Sequence, residues 1–301
     1  MINFLRDYPG ELAALSAALI WAVASVIYTG VGRQLSPLVL NLVKGLIAIV
    51  LLIATLLLTG NLFPTVDSRS LALLLLSGAV GIGFGDTAYF GALNCIGPRR
   101  TLVLESLAPP LAAVLALIFL QEQLPSTGWV GIVLTVFGVT WVVLERSREA
   151  STPAVLTLRG IVLGLLAAGG QAGGAVMSRA ALAGTDINPL WSTFIRLVGG
   201  IVILVIWLGV QRQSMRVLKP LRSRRLLMVV AGTAFFSTYL GIWLQQLSLK
   251  YAPAGVAQSL SATSPLFVIP IAVIFAGDKV SVRAVLGVLV AIAGVWLLFN
   301  R

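Results

Sequence analysis

The sequence predicts an all-α integral membrane protein with about ten transmembrane helices, arranged as two inverted five-helix repeats. Three observations lead to this prediction. The composition is too apolar for a water-soluble globule, ten apolar segments are long enough to span a bilayer, and an internal repeat relates the two halves of the chain. The bilayer is therefore expected to be the solvent for most of the protein surface.

Composition excludes several functional classes. Of 301 residues, 58% are hydrophobic and 10% are charged, whereas soluble domains carry roughly 25% charged residues. The 21 basic residues outnumber the 10 acidic ones, but most lie between apolar segments, so we assign them to membrane topology and lipid contact and expect no nucleic-acid partner. With no histidine and one cysteine, Cys95, no metal site, cofactor or internal disulfide is predicted. A phosphate-binding loop for ATP is also missing from the sequence.

Ten segments contain the roughly 20 mostly apolar residues that a spanning helix needs. Because Arg6 is offset by Asp7 and Glu11, the first segment is interpreted as a span and not as a signal peptide. Spans 3 and 4, and spans 8 and 9, are joined by predicted turns of only a few residues. Spans 1 to 10 are Leu12–Val31, Leu38–Thr59, Ser70–Leu93, Thr101–Leu120, Gly128–Leu144, Leu158–Leu182, Pro189–Val210, Leu226–Leu247, Ala254–Phe275 and Arg283–Phe299.

The two halves of the chain repeat each other. Pro37 and Lys44 recur as Pro189 and Arg196 at an offset of 152, and further along the offset becomes 156. The pairs at the second offset are Gly85 with Gly241, Pro109 with Pro265, Phe119 with Phe275, Glu122 with Asp278, Gly131 with Gly287 and Gly138 with Gly294. We therefore predict a first five-helix repeat at 1–146, a polar linker at 147–154 and a second repeat at 155–301.

An odd number of spans in each repeat has a topological consequence. The second repeat must enter the membrane from the opposite side, so the repeats are expected to be inverted. Inverted repeats are typical of secondary transporters, which place the substrate site at the repeat interface near the bilayer midplane.

The chain resembles the drug/metabolite transporter superfamily, specifically its EamA-type ten-helix members. The resemblance rests on the segment that runs from Pro109 through Phe119 and Glu122 to Gly138, and on the matching segment from Pro265 to Gly294, and it covers nearly the whole chain. It implies export of a small metabolite such as an amino acid or a related compound. It also implies that spans 1, 3, 4, 6, 8 and 9 line a central cavity. Asp278-Lys279 departs from the family pattern, which more often has Gly-Glu.

Loop charge predicts the orientation. The loops on the side of the termini carry five basic residues and the loops on the other side carry fourteen. By the positive-inside rule, the termini lie outside and the 211–225 loop lies in the cytoplasm, which suits a protein of the cytoplasmic (inner) membrane.

Four ionisable residues fall at membrane depth: Lys44, Asp86, Glu105 and Arg196. Such residues are costly in hydrocarbon and usually face the bundle interior or a wet cavity. Lys44 and Arg196, which are repeat equivalents, are candidates to attract an anionic substrate group, and Asp86 and Glu105 are candidates for proton coupling. The alternative for all four is a structural charge pair.

Polar and aromatic side chains form stripes on the spans that the resemblance places around the cavity. They could contact substrate or hydrogen-bond neighbouring helices. The predicted substrate-binding residues are Trp21, Ser25, Tyr28, Tyr89, Glu105, Gln171, Tyr239, Trp243, Gln245 and Gln258. Prolines inside spans 4 and 9 are expected to kink them, as hinges or as static bends: Pro109, Pro110, Pro265 and Pro270.

The sequence therefore favours a secondary transporter that moves a small molecule across the lipid bilayer by alternating access. A passive facilitator or channel is the first alternative, although no ring of repeated polar groups is seen. A membrane enzyme acting on lipid is the next, with only Asp86 and Glu105 available for acid–base chemistry, and a sensor or assembly protein is the last. Spans 5 and 10 carry few polar groups, which suits lipid contact or a homodimer interface.

Overall fold

The computed structural model describes residues 7–31, 35–60, 66–146, 158–211, 223–267, 270 and 281–300. Throughout these residues the regular secondary structure is helical. In chain order the α-helices are α1 Pro9–Val31, α2 Pro37–Leu58, α3 Ser68–Gly78, α4 Asp86–Glu105, α5 Ala108–Leu120, α6 Ser126–Arg146, α7 Leu158–Leu182, α8 Pro189–Val210, α9 Arg224–Ala234, α10 Gly241–Tyr251, α11 Ala254–Ser261 and α12 Val282–Phe299. Two π-helical segments interrupt them, π1 Ala79–Gly85 and π2 Phe235–Leu240.

Several helices begin at side-chain caps. Asp67, Asn188, Ser223 and Ser281 each accept a hydrogen bond from a backbone N–H in the first turn of α3, α8, α9 and α12. Such caps satisfy donors that have no partner within the helix. The hydrogen bond from the Ser70 side chain, together with the 3.0 Å bond from the Ser70 amide, lowers the pKa of the Asp67 carboxyl.

The described helices are long and apolar enough for a membrane. Eight helical ranges meet that test, and Pro9–Ala24 is a shorter apolar helix. The eight are Leu38–Leu58, Ser68–Leu93, Arg100–Leu120, Ser126–Glu145, Leu158–Leu182, Pro189–Val210, Arg224–Tyr251 and Val282–Phe299. Large apolar side chains such as Leu58, Val133 and Trp296 are exposed on their outer faces, where a lipid-facing protein tolerates them. The prediction of an all-α integral membrane protein is confirmed. The count of ten spans and the inversion of the repeats stay predictions, since residues 268, 269 and 271–275 of span 9 lie outside the described residues.

Helix boundaries recur at the offset that relates the two halves in the sequence. The first residues of π1 and π2, Ala79 and Phe235, are 156 positions apart. The same spacing separates Ser68 from Arg224, where α3 and α9 begin. A π segment is usually a single widened turn inside an α-helix, so corresponding helices of the two halves are widened at corresponding places.

The polypeptide between predicted spans 3 and 4 is helical, although the two spans stay separate. The sequence predicts a turn near residues 94–100, and the apolar ranges on either side, Ser68–Leu93 and Arg100–Leu120, are separate candidate spans. The backbone that joins them has helical geometry, and a further break falls at Ser106 and Leu107. Pro98 removes only one amide donor, which a helix can tolerate.

Glycines allow close packing of the helices around π1. A Cβ atom at Gly78 would collide with the backbone of Arg196 in α8, and one at Gly199 would collide with the backbone of Leu75 in α3. Gly81 and Gly174 likewise face each other across π1 and α7. Small residues at such crossings let helix backbones approach within lipid, where packing drives association.

Helices α6 and α12 also cross closely. Gly138 packs against the backbone of Gly287 and Ala291, and Gly294 packs against Thr135. Predicted spans 5 and 10 therefore contact each other within one chain, and their opposite faces expose apolar side chains such as Phe137 and Trp296. A homodimer through these outer faces stays a prediction.

Candidate functional site

Three of the predicted polar residues lie together between the helices. Asp86 is the first residue of α4, directly after π1, and its Oδ1 accepts a 2.8 Å hydrogen bond from Nε2 of Gln171 in α7. The backbone carbonyl of Gln171 accepts a 3.2 Å hydrogen bond from Nε2 of Gln258 in α11. Spans 3, 6 and 9 thus meet at one polar position, as the stripes predicted for their inner faces require.

Both intramembrane cations interact electrostatically with Asp86. Lys44 in α2 and Arg196 in α8 each act on this carboxylate. Asp86 in turn acts on Glu105, the last residue of α4, and both acids act on Tyr89. The four ionisable residues predicted at membrane depth therefore form one electrostatically linked group, with Asp86 at its centre.

Arg196 is the most deeply buried of these charges, with 2% of its surface exposed. Its Nη1 donates to Oε1 of Gln245 at 3.1 Å and to Oε1 of Gln246 at 3.4 Å. Nε is buried and has no hydrogen-bond partner among the described residues. The predicted site residue Gln245 is thus a direct neighbour of the predicted cation Arg196.

Glu105 also carries a buried atom without a partner. Its Oε2 accepts no hydrogen bond from any described residue. An unpaired buried oxygen on a carboxyl group is costly, and such a group is a reasonable position for a proton or a ligand donor. The role of Glu105 in substrate binding or proton coupling stays a prediction.

The predicted aromatic residues have different surroundings. Trp21 donates from Nε1 to the backbone carbonyl of Ser237 at 2.8 Å, and the Tyr239 hydroxyl lies 2.8 Å from Oγ1 of Thr55. Both polar tips are thus used to join helices. Tyr89 packs edge-on against Phe90, with ring centroids 5.6 Å apart. Trp243 is half-buried on α10, and the side chains of Ser25 and Tyr28 lie outside the described residues.

Three of the four predicted hinge prolines, Pro109, Pro110 and Pro265, lie just after helix breaks inside their spans. Pro109 and Pro110 occupy the first turn of α5, just after the break at Ser106 and Leu107. Pro265 follows a similar break and lies in a helical stretch at 264–267. In a first turn the missing proline N–H has no helical acceptor to lose, so the helix starts there without strain. Pro270 is exposed beside undescribed residues, and the hinge role of all four stays a prediction.

A serine–glutamine network that the sequence does not predict joins α3, α7, α8 and α10. The Ser77 and Ser178 hydroxyls lie 2.7 Å apart, and Ser77 donates to the Gly174 carbonyl at 2.7 Å. Nε2 of Gln246 donates to Ser178 at 3.3 Å and to Ser192 at 2.6 Å. Small polar residues on neighbouring spans were the available signal, but their pairing depends on how the helices cross.

A second group that the sequence did not predict lies where α5, α7, α10 and α11 end or begin. Arg179 in α7 forms a 2.5 Å ion pair with Glu122, just after α5, and its Nη1 donates to the Leu249 and Lys250 carbonyls at 3.0 and 2.7 Å. The other Glu122 oxygen accepts a 3.1 Å hydrogen bond from the Ala254 amide, at the start of α11. The pair therefore caps the end of α10 and the beginning of α11, and we call it the Glu122–Arg179 clasp.

The long apolar helices, the apolar outer faces and the charged groups held between helices define a polytopic membrane protein with a polar interior. A sequence model of the EamA-like transporter family matches residues 8–144 and 158–300. The chain belongs to this family, within the drug/metabolite transporter superfamily, and is a membrane transporter.

Two curated relatives agree with this assignment. An "Uncharacterized transporter" of Archaeoglobus fulgidus is 24% identical over 290 residues, which cover 95% of this chain and 96% of the relative. An "Uncharacterized transporter" of Clostridium kluyveri is 27% identical over 134 residues, 44% of this chain and 43% of that protein. A solved structure described as the crystal structure of a protein matches the fold with a TM-score of 0.77 at 16% identity, covering 96% of both chains.

Proposed function

We propose that this transporter is a secondary active exporter of a small metabolite, an amino acid or a related compound, working by alternating access. The observation that carries the proposal is the meeting of Lys44 from α2, Asp86 from α4 and Arg196 from α8. These helices come from both halves of the chain, so a relative movement of the halves would rearrange the charges around Asp86.

The recurrence of helix boundaries supports this mechanism. The family match falls on two ranges, 8–144 and 158–300, and π1 and π2 lie at equivalent positions of these ranges. Inverted repeats would place the same structure on opposite sides of the membrane, so rocking of one repeat against the other would expose the central site alternately.

Asp86 and Glu105 are the proposed route of proton coupling. Asp86 begins α4 and Glu105 ends it, Asp86 acts electrostatically on Glu105, and one Glu105 oxygen is buried without a partner among the described residues. Two nearby carboxyl groups are difficult to ionise together, so protonation of one responds to the charge state of the other. Substrate movement past them could thereby be linked to proton movement in the opposite direction.

Transport into proteoliposomes tests the proposal. The purified chain would be reconstituted and given radiolabelled amino acids, one at a time, under an imposed pH gradient. We expect at least one substrate to accumulate above its external concentration, and Glu105→Gln or Asp86→Asn to abolish this accumulation. Glu145→Gln is the matched control, because Glu145 pairs with Ser281 at the membrane boundary and should leave accumulation unchanged.

Two outcomes would contradict parts of the proposal. If substrate enters only until the concentrations are equal, the protein is a passive facilitator. If accumulation persists when both carboxyl groups are neutralised, the coupling route does not run through Asp86 and Glu105.

We also propose the cytoplasmic membrane as the location, with the termini outside and the 211–225 loop in the cytoplasm. Support comes from the excess of basic residues in that set of loops. Labelling of single cysteines placed at residues 215 and 301 in a Cys95→Ser background would test the orientation, since an impermeant reagent applied to intact cells should reach only position 301.

A further inference from the structure

We infer that the Nε–Nη2 edge of Arg196 is a binding subsite for the carboxylate of the transported metabolite. The inference rests on the proposed transport function and adds the chemical class of the substrate. It starts from the hydrogen bonds of a single buried side chain.

Arg196 uses only one part of its guanidinium group. Both of its hydrogen bonds to described residues leave from Nη1, toward Gln245 and Gln246. Nε is buried without a partner, and Nη2 donates no hydrogen bond to a described residue. The unused edge presents two parallel N–H groups, the arrangement that receives a carboxylate through two hydrogen bonds.

The protein supplies no carboxylate to this edge in the described structure. Asp86 acts on Arg196 electrostatically, but no carboxylate oxygen of a described residue lies within 4.0 Å of the Arg196 nitrogens. Instead Asp86 accepts from Gln171. A buried guanidinium without a contacting anion is costly in a membrane interior. A substrate carboxylate would provide the missing counter-charge and both missing acceptors.

Gly81 packs against the Nη2 end of the guanidinium without a side chain. A Cβ atom at this position in π1 would lie 2.9 Å from Nη2 of Arg196. The only hydrogen there instead leaves room for the planar group, and the nearby Gly174 has no side chain either. Because Nη2 is the far end of a flexible side chain, an added methyl group would displace the guanidinium more readily than it would disrupt the helix crossing.

Two glutamines beside the guanidinium hold it in one orientation. Gln245 holds Nη1 and thereby fixes the plane of the guanidinium. Lys44, which lies in the first repeat like Asp86, also acts on this acid. Arg196 is thus a buried cation whose Nε–Nη2 edge donates to no described residue and can donate to a substrate carboxylate.

Ligand-dependent thermal stability of the purified full-length chain tests the subsite. The probes are the twenty common L-amino acids and the carboxamides of those that bind, and affinities are taken from titrations of the melting temperature. We expect at least one acid to stabilise the protein and its carboxamide to bind at least 10-fold more weakly. Arg196→Lys keeps the charge but loses the two-pronged geometry, and it should weaken binding of the acid about 10-fold or more.

Gly81→Ala provides a second variant that keeps Arg196 intact. This variant should bind the acid several-fold more weakly than the wild type, while its affinity for the carboxamide should change little. Arg224→Lys is the matched control, since Arg224 is exposed at the start of α9, and it should bind as the wild type does. Melting temperatures without ligand identify any variant that is merely unfolded.

Equal affinity for acid and carboxamide, wild-type affinity in Arg196→Lys, or no stabilisation by any amino acid would each overturn the subsite. The last two results would also be expected if the edge serves as a docking position for Asp86 in another conformation. Transport of an uncharged compound by the wild type would overturn the subsite and leave the transport proposal standing. If the protein binds carboxylates specifically but transports no compound, the subsite stands and the transport proposal fails.

Discussion

The Glu122–Arg179 clasp offers the most direct test of what holds the two halves together. It joins the end of α5 in the first half to α7 and to the α10–α11 junction in the second. The perturbations are Glu122→Gln, Arg179→Ala and the double variant. Glu122→Gln keeps an acceptor for the Ala254 amide but removes the charge, whereas Arg179→Ala removes the ion pair and two hydrogen bonds to carbonyls.

The magnitude follows from the contacts and their burial. Hydrogen bonds to charged groups contribute roughly 1.5–3 kcal/mol each, and exposed ion pairs contribute about 0–1 kcal/mol. The clasp side chains are 15% and 17% exposed, so values toward the buried end apply. We expect a loss of unfolding free energy of about 1–2 kcal/mol for Glu122→Gln and about 3 kcal/mol for Arg179→Ala. The double variant should lose about 1–2 kcal/mol less than the sum, because the pair is removed only once.

Reversible unfolding in mixed micelles of increasing sodium dodecyl sulfate content, followed by tryptophan fluorescence, would measure these losses. Glu145→Gln serves as the control, since its partner Ser281 is uncharged and its bond is 3.2 Å long. Additivity of the two single losses within about 0.5 kcal/mol would refute the reasoning, because it would mean that the 2.5 Å contact carries no coupling.

Three further changes test other parts of the fold. Gly78→Ala should lower the melting temperature by several degrees because its methyl group meets the α8 backbone, whereas Gly169→Ala, with no atom within 4 Å, should be neutral or slightly stabilising in the same thermal assay. Gln246→Ala should cost about 2–3 kcal/mol in detergent unfolding, since it leaves buried hydroxyl groups without a donor; a loss below about 0.5 kcal/mol would contradict this. Asp67→Ala should lower the free energy of unfolding at neutral pH and remove a pH dependence of stability. Because the pKa of Asp67 is lowered in the folded protein, its carboxylate stabilises the fold above the ordinary carboxyl pKa, and this stabilisation is lost as the pH falls through the folded-state pKa. Asp67→Asn, which can still cap Ser70, should keep most of the stability without that pH dependence, and a thermal scan from pH 7 to pH 3 would show whether the two variants differ.

The sequence predicts the fold class and the membership of the site better than the pairings within it. Lys44, Asp86, Glu105 and Arg196 could be recognised because an ionisable group inside an apolar span is rare and must face other protein groups. Which acid meets which base depends on helix crossings that the sequence does not encode locally. Asp86 turned out to accept from Gln171 while acting on both cations.

Two misses have specific physical causes. Gln246 follows Gln245 by one residue, which places the two about 100° apart on a helix, so a single inward stripe selects only one of them. Arg179 was counted as a loop charge because it lies near the end of its span. Its role appears only when Glu122, 57 residues earlier, and the α10 carbonyls are brought beside it.

The break before the prolines also lay beyond sequence reasoning. A proline can kink a helix from within or begin a new helix, and the residue type alone does not distinguish the two. Ser106 and Leu107 carry no strong turn signal, so the position of the break depends on the packing of α5 against its neighbours. The hydroxyl of Ser106 accepts from Thr140 at 3.0 Å and itself donates to the Val103 carbonyl at 2.6 Å, which holds the break in place.

The widened turns π1 and π2 change how the neighbouring helices must be drawn. A helical wheel assumes 100° per residue, and an extra residue accommodated in one turn moves every later side chain out of phase with those before it. The packing face of α3, which holds Ser77 against α7, and the charged face of α4, which holds Asp86, therefore follow separate wheels although they belong to one rod. Deleting one residue from π1 would rotate α4 relative to α3 by about a quarter turn, turning Asp86 away from Gln171 while leaving the amino-acid content of both faces unchanged.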